Sequence, residues 1–501
     1  MTLDAALPLL VAIPILAAGI TAFARARRPW TVVVLLLVQT AQLVAATLLV
    51  IETADGSVHA HQVGGWIPGI AIPFAVDAFS ALMLTVAGGL ILVCTLFALQ
   101  VDAGRHRFYA PLVMVLQAGV VGTLLTADVF NMFVFIEVML LPTYGLLVLA
   151  ARGRGTRASV VGSRLYVTFN LFVSTLFLAG VAMIYGTAGT VNLGELAGAA
   201  SEDPLVAAAA GVSLFALSMK AAVVPVHGWL ARAYPSTSPA ITALISGLHT
   251  KVAIYAIYRL YAVIFEGDER FLWIGILLFS ATMLIGVLGA VGEDRMRSIL
   301  AFHMVSQIGY ILLGVALFTP FGLTAGIAYL LHHMIVKASL FLSTGAIEER
   351  FGTDKLSELK GRIGKEPVLA VAFGAAAMSL AGLPPFSGFI AKFSLITSTF
   401  EAGQIAAAVV ALLVSLITLQ SMLKIFNGVF SPTIKGHPAP AEPSATAVLP
   451  GATPLALAAP ALALAAVTLT LGLGAQGLLS LSEVAAAGLY DTSAYVEAVL
   501  P

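Results

Sequence analysis

Apolar residues run along this chain in long blocks separated by short polar stretches. Fourteen blocks of about 18–25 residues can be drawn, the length needed to cross a hydrocarbon core. They are 3–24, 30–51, 76–100, 109–126, 129–150, 163–186, 205–230, 237–263, 271–291, 297–318, 321–347, 367–398, 403–429 and 454–481. The pattern predicts an all-α polytopic membrane protein of about 14 transmembrane helices. The short gap at Thr126–Val129 makes the fourth and fifth blocks a tight hairpin. Two blocks are interrupted: the seventh carries Lys220 and then Pro225, and the twelfth carries Pro384, Pro385 and then Lys392. Proline has no N–H and crowds the carbonyl four residues earlier, so both helices are expected to break there.

The interrupted blocks resemble each other. Pro225-Val-His-Gly-Trp-Leu-Ala-Arg232 lies over Pro385-Phe-Ser-Gly-Phe-Ile-Ala-Lys392 without a gap. Asp128, Glu137 and Tyr144 align with Asp294, His303 and Tyr310, and Ser174–Leu178 aligns with Ala338–Leu342. The order is the same and the offsets are 166, 164 and 160 residues. Two repeats follow, helices 4–8 and 9–13. Each has five spans, and an odd number sets the second copy upside down, the inverted-repeat plan of secondary transporters. The expected units are 1–108 (the first three helices), 109–265 and 266–430 (the repeats), and 431–501 (a linker, the last span and a short tail).

Composition agrees with a membrane setting: 60% hydrophobic residues, 10% charged residues and a mean hydropathy of +1.01. A soluble domain carries about 25% charge. The net charge is zero, which gives nucleic-acid binding no support. The single cysteine, Cys94, rules out an intrachain disulfide, an iron–sulfur cluster and a cysteine-rich metal site. No cofactor or resident metal is implied. The first block lacks a charged leader and a cleavage site and reads as a retained helix. With the N-terminus outside, most lysines and arginines gather in the inner loops, at Arg25–Arg28, Arg105–Arg107, Arg152–Arg164, Arg295–Arg297 and Arg350–Lys365, with Lys424 and Lys435 further on. Arg259 and Arg270 fall on the outer side.

The remaining charges lie inside blocks. Glu137 is in the fifth, Lys220 in the seventh, Lys251 in the eighth, His332, His333 and Lys337 in the eleventh, and Lys392 in the twelfth. His333 and Lys337 are four apart and share a helix face. An ionisable group inside a span is a functional candidate by default. Desolvation favours the neutral lysine and a nearby carboxylate favours the charged one, so a Glu–Lys pair whose separation changes can take up and release a proton. Histidine does so with little tuning. A metal cation would call for clustered oxygens, whereas these groups are mostly bases. Structural readings stand beside these: Glu137–Lys220 as a static ion pair, Lys251 or Lys392 reaching the interface, and His227, His249, His303, His332 and His333 as packing residues. Asp77 and Asp128 read as helix-end charges, and Pro142 and Pro239 as kinks.

With these residues in view, the chain resembles the antiporter-like family, which includes the large subunits of Mrp-type Na+/H+ antiporters and the proton-pumping membrane subunits of respiratory complex I. The marks are Glu137, Lys220 ahead of a proline, SPAITALISGLHTKVAIYAIYR with Lys251, HHMIVKASLF, and GLPPFSGFIAKF with Lys392. Lys392 departs from one complex I relative, which has glutamate there. The sequence ends soon after the fourteenth block, and overall it most resembles the D-type large subunits of Mrp antiporters. The resemblance implies a proton-translocating subunit that works with other membrane subunits, exchanging protons for Na+ in a prokaryotic cell membrane, and no enzyme activity of its own. Glu137–Lys220 would switch one half-channel. Lys251 would pass protons to His332, His333 and Lys337, and Lys392 would face the other exit. The alternatives are the same machinery in complex I or a membrane-bound hydrogenase, and a non-conducting scaffold.

Overall fold

The computed structural model describes residues 3–26, 28–67, 70–154, 157–360, 366–431 and 453–500, with the side chains of 151–158 set aside. Arg27, Arg362, Lys365 and Lys435, the side chains of Arg152, Arg154 and Arg157, and residues 432–452 therefore lie outside what is described here.

Among the described residues, eleven helices are long and apolar enough to cross a bilayer. Three shorter apolar helices, Tyr109–Leu125, Pro204–Lys220 and Pro367–Ala381, occupy the fourth, seventh and twelfth blocks. In chain order the helices are α1 (Leu9–Ala22), α2 (Pro29–Glu52), α3 (Ala78–Ala98), α4 (Tyr109–Leu125), α5 (Val129–Arg154), α6 (Arg157–Ala188), α7 (Pro204–Lys220), α8 (Gly228–Ala233), α9 (Pro239–Phe265), α10 (Leu272–Gly292), α11 (Met296–Leu317), α12 (Pro320–Phe351), α13 (Pro367–Ala381), α14 (Ser387–Glu401), α15 (Ile405–Phe430), α16 (Leu455–Leu473), α17 (Ala475–Tyr490) and α18 (Ser493–Val499).

Both expected breaks are present. α7 ends at Lys220 and α8 begins at Gly228; α13 ends at Ala381 and α14 begins at Ser387. Ala222 and Gly382 take positive φ in the two breaks, and the Val224–Pro225 and Pro384–Pro385 peptides are cis. The groups freed by the breaks find partners. Val224 N–H donates to Thr282 Oγ1 of α10 at 3.1 Å, and Trp229 Nε1 donates to the Met219 carbonyl at 3.1 Å.

The repeat is visible in the packing. α4 lies on α5 as α10 lies on α11, α6 packs on α7 as α12 packs on α13, and α9 meets α7 as α15 meets α13. Gly122 sits so close to Phe135 that a Cβ would meet its ring at 2.2 Å, and Gly289 meets Phe302 at 2.3 Å in the same way. Gly119 presses on the backbone of Met139, and Gly286 on that of Ser306. All four equivalences have an offset of 167, one more than alignment of Glu137 with His303 requires. Glu137 thus corresponds to Met304. One residue turns a side chain about 100° round a helix, so His303 is no positional twin of Glu137.

Burial sorts the helices. α9 and α12 are enclosed over their whole apolar windows and α11 nearly so, whereas α2 and α10 show most of theirs to the surroundings. α12 is the hub, touching α3, α9, α11, α13, α14, α16 and α17. The two enclosed helices are also capped: Ser238 accepts from Ile241 N–H, Thr319 accepts from Gly322 N–H, and a proline follows each.

A short hairpin stands beside the helices: β1 (His59–Gln62) pairs antiparallel with β2 (Pro73–Val76) in the long connection between α2 and α3. One expected boundary needs correction. The last block ends at Leu473, and the chain turns at Gly474 into α17, which packs on α12 and α3, while α18 lies on the hairpin. Arg259, expected on the outer side, lies inside α9. It is 1% exposed and donates from Nη2 to both carboxylate oxygens of Asp77 at 2.8 and 2.7 Å. Asp77 also caps α3, as expected of a helix-end charge, by accepting from Ser80 N–H, and Asp128 caps α5 by accepting from Asn131 N–H at 2.6 Å.

Candidate proton-transfer site

The bases noted in the sequence lie on elements that pack in series, α7 on α9, α9 on α12 and α12 on α14. Lys220 closes α7 and is 3% exposed. Its ammonium donates to Asn170 Oδ1 of α6 at 3.5 Å. Glu137, half-buried on α5, is near enough to act on Lys220 through space, but Lys220 makes its hydrogen bond to Asn170. Glu137 Oε1 is buried with no hydrogen-bond partner. The expected pair is therefore a separated one.

His249 joins this end to α9. Its Nδ1 lies 2.5 Å from the Tyr166 hydroxyl on α6, and its Nε2 lies 3.1 Å from the Thr143 hydroxyl on α5. Asn170 donates back to the Tyr166 carbonyl at 2.9 Å. The polar set Thr143–His249–Tyr166–Asn170–Lys220 thus draws on four helices.

Lys251 is fully buried on α9 and donates to the Ser246 carbonyl of its own helix at 2.6 Å. Lys337 on α12 donates to the Leu300 carbonyl of α11 at 2.9 Å. His333 is fully buried with neither ring nitrogen hydrogen-bonded, and it lies within electrostatic reach of Lys251, Lys337, His332 and Lys392. His332 Nδ1 is 2.8 Å from Ser387 Oγ, the first residue of α14, while its Nε2 is unpartnered. Lys392 donates to the Ala381 carbonyl and to Ser415 Oγ, both at 3.2 Å, with its ammonium 5.4 Å from the centre of the Tyr310 ring. His303 Nε2 meets Ser421 Oγ at 2.8 Å on the α15 side, and its other nitrogen is unpartnered. Tyr310 stacks on Tyr329, which meets His332 edge-on.

Lys220, Lys251, His332, His333, Lys337 and Lys392 are thus buried, Glu137 is half-buried, and Pro225, Pro384 and Pro385 at the breaks are exposed. The second break has a direct function in this geometry, because Ala381 is the last residue of α13 and its freed carbonyl receives Lys392. Arg232, the repeat counterpart of Lys392, is exposed. The sequence pattern does not single out Tyr166, Asn170, Thr143, Ser387 and Ser415. Their signal is a lone hydrogen-bonding side chain inside an apolar block, and such a side chain must find a partner across helices.

Buried polar networks are costly unless satisfied. Here each lysine donates to neutral oxygens, and several histidine nitrogens are left open. An ammonium held by a carbonyl or an amide is solvated without being pinned by a counter-charge. Such a base can hold or release a proton without breaking an ion pair. The fold and the site together define a polytopic, antiporter-like membrane subunit.

The comparisons with known proteins agree. Residues 126–418 match the model of the NADH:quinone oxidoreductase/Mrp antiporter transmembrane family, and the chain belongs to that family. It is 37% identical to the D-type subunit of a Na(+)/H(+) antiporter from Alkalihalophilus pseudofirmus over 464 residues, 91% of this chain and 92% of the relative. Its fold matches a chain in a structure of the Mrp complex from a Dietzia species with a TM-score of 0.95 at 57% identity, covering 100% of both chains. A chain of respiratory complex I from Thermus thermophilus matches with a TM-score of 0.74 at 26% identity, over 94% of this chain and 98% of that one.

Proposed function

We propose that this chain is the D-type, proton-translocating subunit of a multisubunit Mrp-type monovalent cation (Na+)/proton antiporter. It would lie in a prokaryotic plasma membrane with its N-terminus outside, work beside other membrane subunits and have no enzymatic activity of its own. Residues 109–265 and 266–430 form the two inverted halves, 1–108 flank them on one side, and 431–501 supply the linker, last span and tail.

Lys220, modulated by Glu137, loads one half. Lys251 passes the proton to His333 and Lys337, and His332 hands it to Lys392 at the second break. The break at Pro384–Pro385 frees the Ala381 carbonyl that solvates Lys392, and the break at Pro225 follows the end of α7 at Lys220. The single observation that carries this reading is that Lys220, Lys251, Lys337 and Lys392 are all buried and all donate to neutral oxygens. Charges kept only to tie helices together would be expected to meet carboxylates, as Arg259 meets Asp77. A scaffold role is disfavoured for the same reason.

The test is Na+-driven proton movement in everted vesicles carrying the assembled complex, with Lys337→Ala measured beside the parent. Loss of Na+-dependent pH change at unchanged assembly is the expected result. Parental antiport by that variant would end the relay reading. Isolating the complex by a tag on this chain and identifying its companions separates an antiporter from a redox-driven assembly.

A further inference from the structure

A cavity opens on the outer flank of the row of bases, beside the end of α7. It is a groove of about 580 Å³ between α7 and α10, with the ends of α9 and α11 as its floor. Its walls include Ala208, Gly211, Phe215 and Leu278. It reaches the first break at Val223–Val226, and Arg270 lies at its other end. Phe215 and Ile274 on its rim are exposed. The interior of a protein is close-packed, and a groove of this volume flanked by membrane-spanning helices does not stay empty in a bilayer.

We propose that this groove is a lipid site that takes one acyl chain of a zwitterionic, amine-bearing phospholipid from the outer leaflet. The dimensions favour a chain over a helix. The α7 residues lining the groove run from Pro204 to Met219, about 22 Å at the helical rise, enough for the roughly 15 Å of one leaflet. Dividing the volume by that length gives about 26 Å² of room for the centres of water molecules, and adding their radius of about 1.4 Å on every side makes a cross-section of about 57 Å². A helix with side chains, about 10–12 Å across, needs about 80–110 Å².

The headgroup follows from charge. Arg270 holds Asp268 through Nε and Nη2, and its Nη1 forms no hydrogen bond among the described residues, leaving donors for a phosphate. Around that end stand the exposed Glu202, Glu266 and Glu269 and the half-exposed Asp203, which favour an ammonium and disfavour a net anionic lipid. Once seated, the acyl chain covers Ser218 and Met219, next to Lys220, and forms the lipid-side wall of the first break.

The assembled complex carrying a photoreactive phenylalanine analogue at position 215 tests this, after irradiation in vesicles of phosphatidylethanolamine or of phosphatidylglycerol. A lipid adduct, stronger with phosphatidylethanolamine, is the expected product. Alongside it, native mass spectrometry of Ala208→Trp and Gly211→Trp should show loss of one bound phospholipid per chain; Gly211 has open space where its Cβ would be. An adduct to another polypeptide, no adduct, or equal yields in the two lipids would overturn the proposal, as would full lipid retention by both tryptophan variants.

Discussion

The Lys251 ammonium donates to the Ser246 carbonyl, five residues earlier on the same helix, at 2.6 Å. A fully buried lysine here rests on its own backbone, and the polar groups within its electrostatic reach, His333 and Lys337, are bases. Arginine keeps the charge but cannot release the proton. Lys251→Arg should therefore assemble yet fail in antiport, much as Lys251→Ala does. Both variants are compared in vesicles, with assembly read on a native gel. Rescue by arginine would mark a fixed electrostatic strut.

Glu137→Gln and Lys220→Ala should each reduce antiport to background at normal protein level. Glu137 Oε1 has no hydrogen-bond partner to lose, so the amide costs little structure. Cation-induced pH change in vesicles is the measurement, and near-normal transport by either variant would remove that residue from the path.

Lys392→Ala should impair transport far more than Arg232→Ala, although the repeat aligns the two. Lys392 is 3% exposed and held at the second break by Ala381 and Ser415, while Arg232 is exposed. Equal and mild effects would reduce Lys392 to a packing lysine.

Tyr166→Phe removes the hydroxyl 2.5 Å from His249 Nδ1. A buried group left without its partner costs about 1–3 kcal/mol. The variant should melt at a lower temperature and lose antiport several-fold, with His249→Phe no worse in combination than alone. Additive losses in the double variant would mean that the two act separately.

Asp77→Ala leaves Arg259 buried without its counter-charge, which costs about 3–5 kcal/mol. Adding Arg259→Met should recover much of that stability. Thermal unfolding of the assembled complex in detergent reads both effects, and a double variant as unstable as the single would show that Arg259 is needed for more than this pair.

The sequence alone determined the membrane class, the apolar blocks, both broken helices and the ionisable residues inside the spans. These are local quantities: a run of apolar residues long enough to span a bilayer, a proline that removes an N–H, and a charge where charge is expensive. What the sequence left open was each charge's partner. Lipid is as apolar as leucine, so hydropathy does not reveal which face of a span meets protein. That is why the sequence places Arg259 near the outer end of its block but does not reveal its partner. Its partner Asp77 is 182 positions away in sequence, and only the packing of α3 against α9 brings them together. The one-residue change of repeat register is another case. Alignment matches Glu137 to His303 by spacing, whereas the close approaches of Gly122 to Phe135 and of Gly289 to Phe302 set the register by contact. The separation of Glu137 from Lys220 is likewise a tertiary fact, and so are the acceptors of three buried lysines: Asn170 and Leu300 come from other helices and the Ala381 carbonyl from the second break, whereas Lys251 uses Ser246 of its own helix.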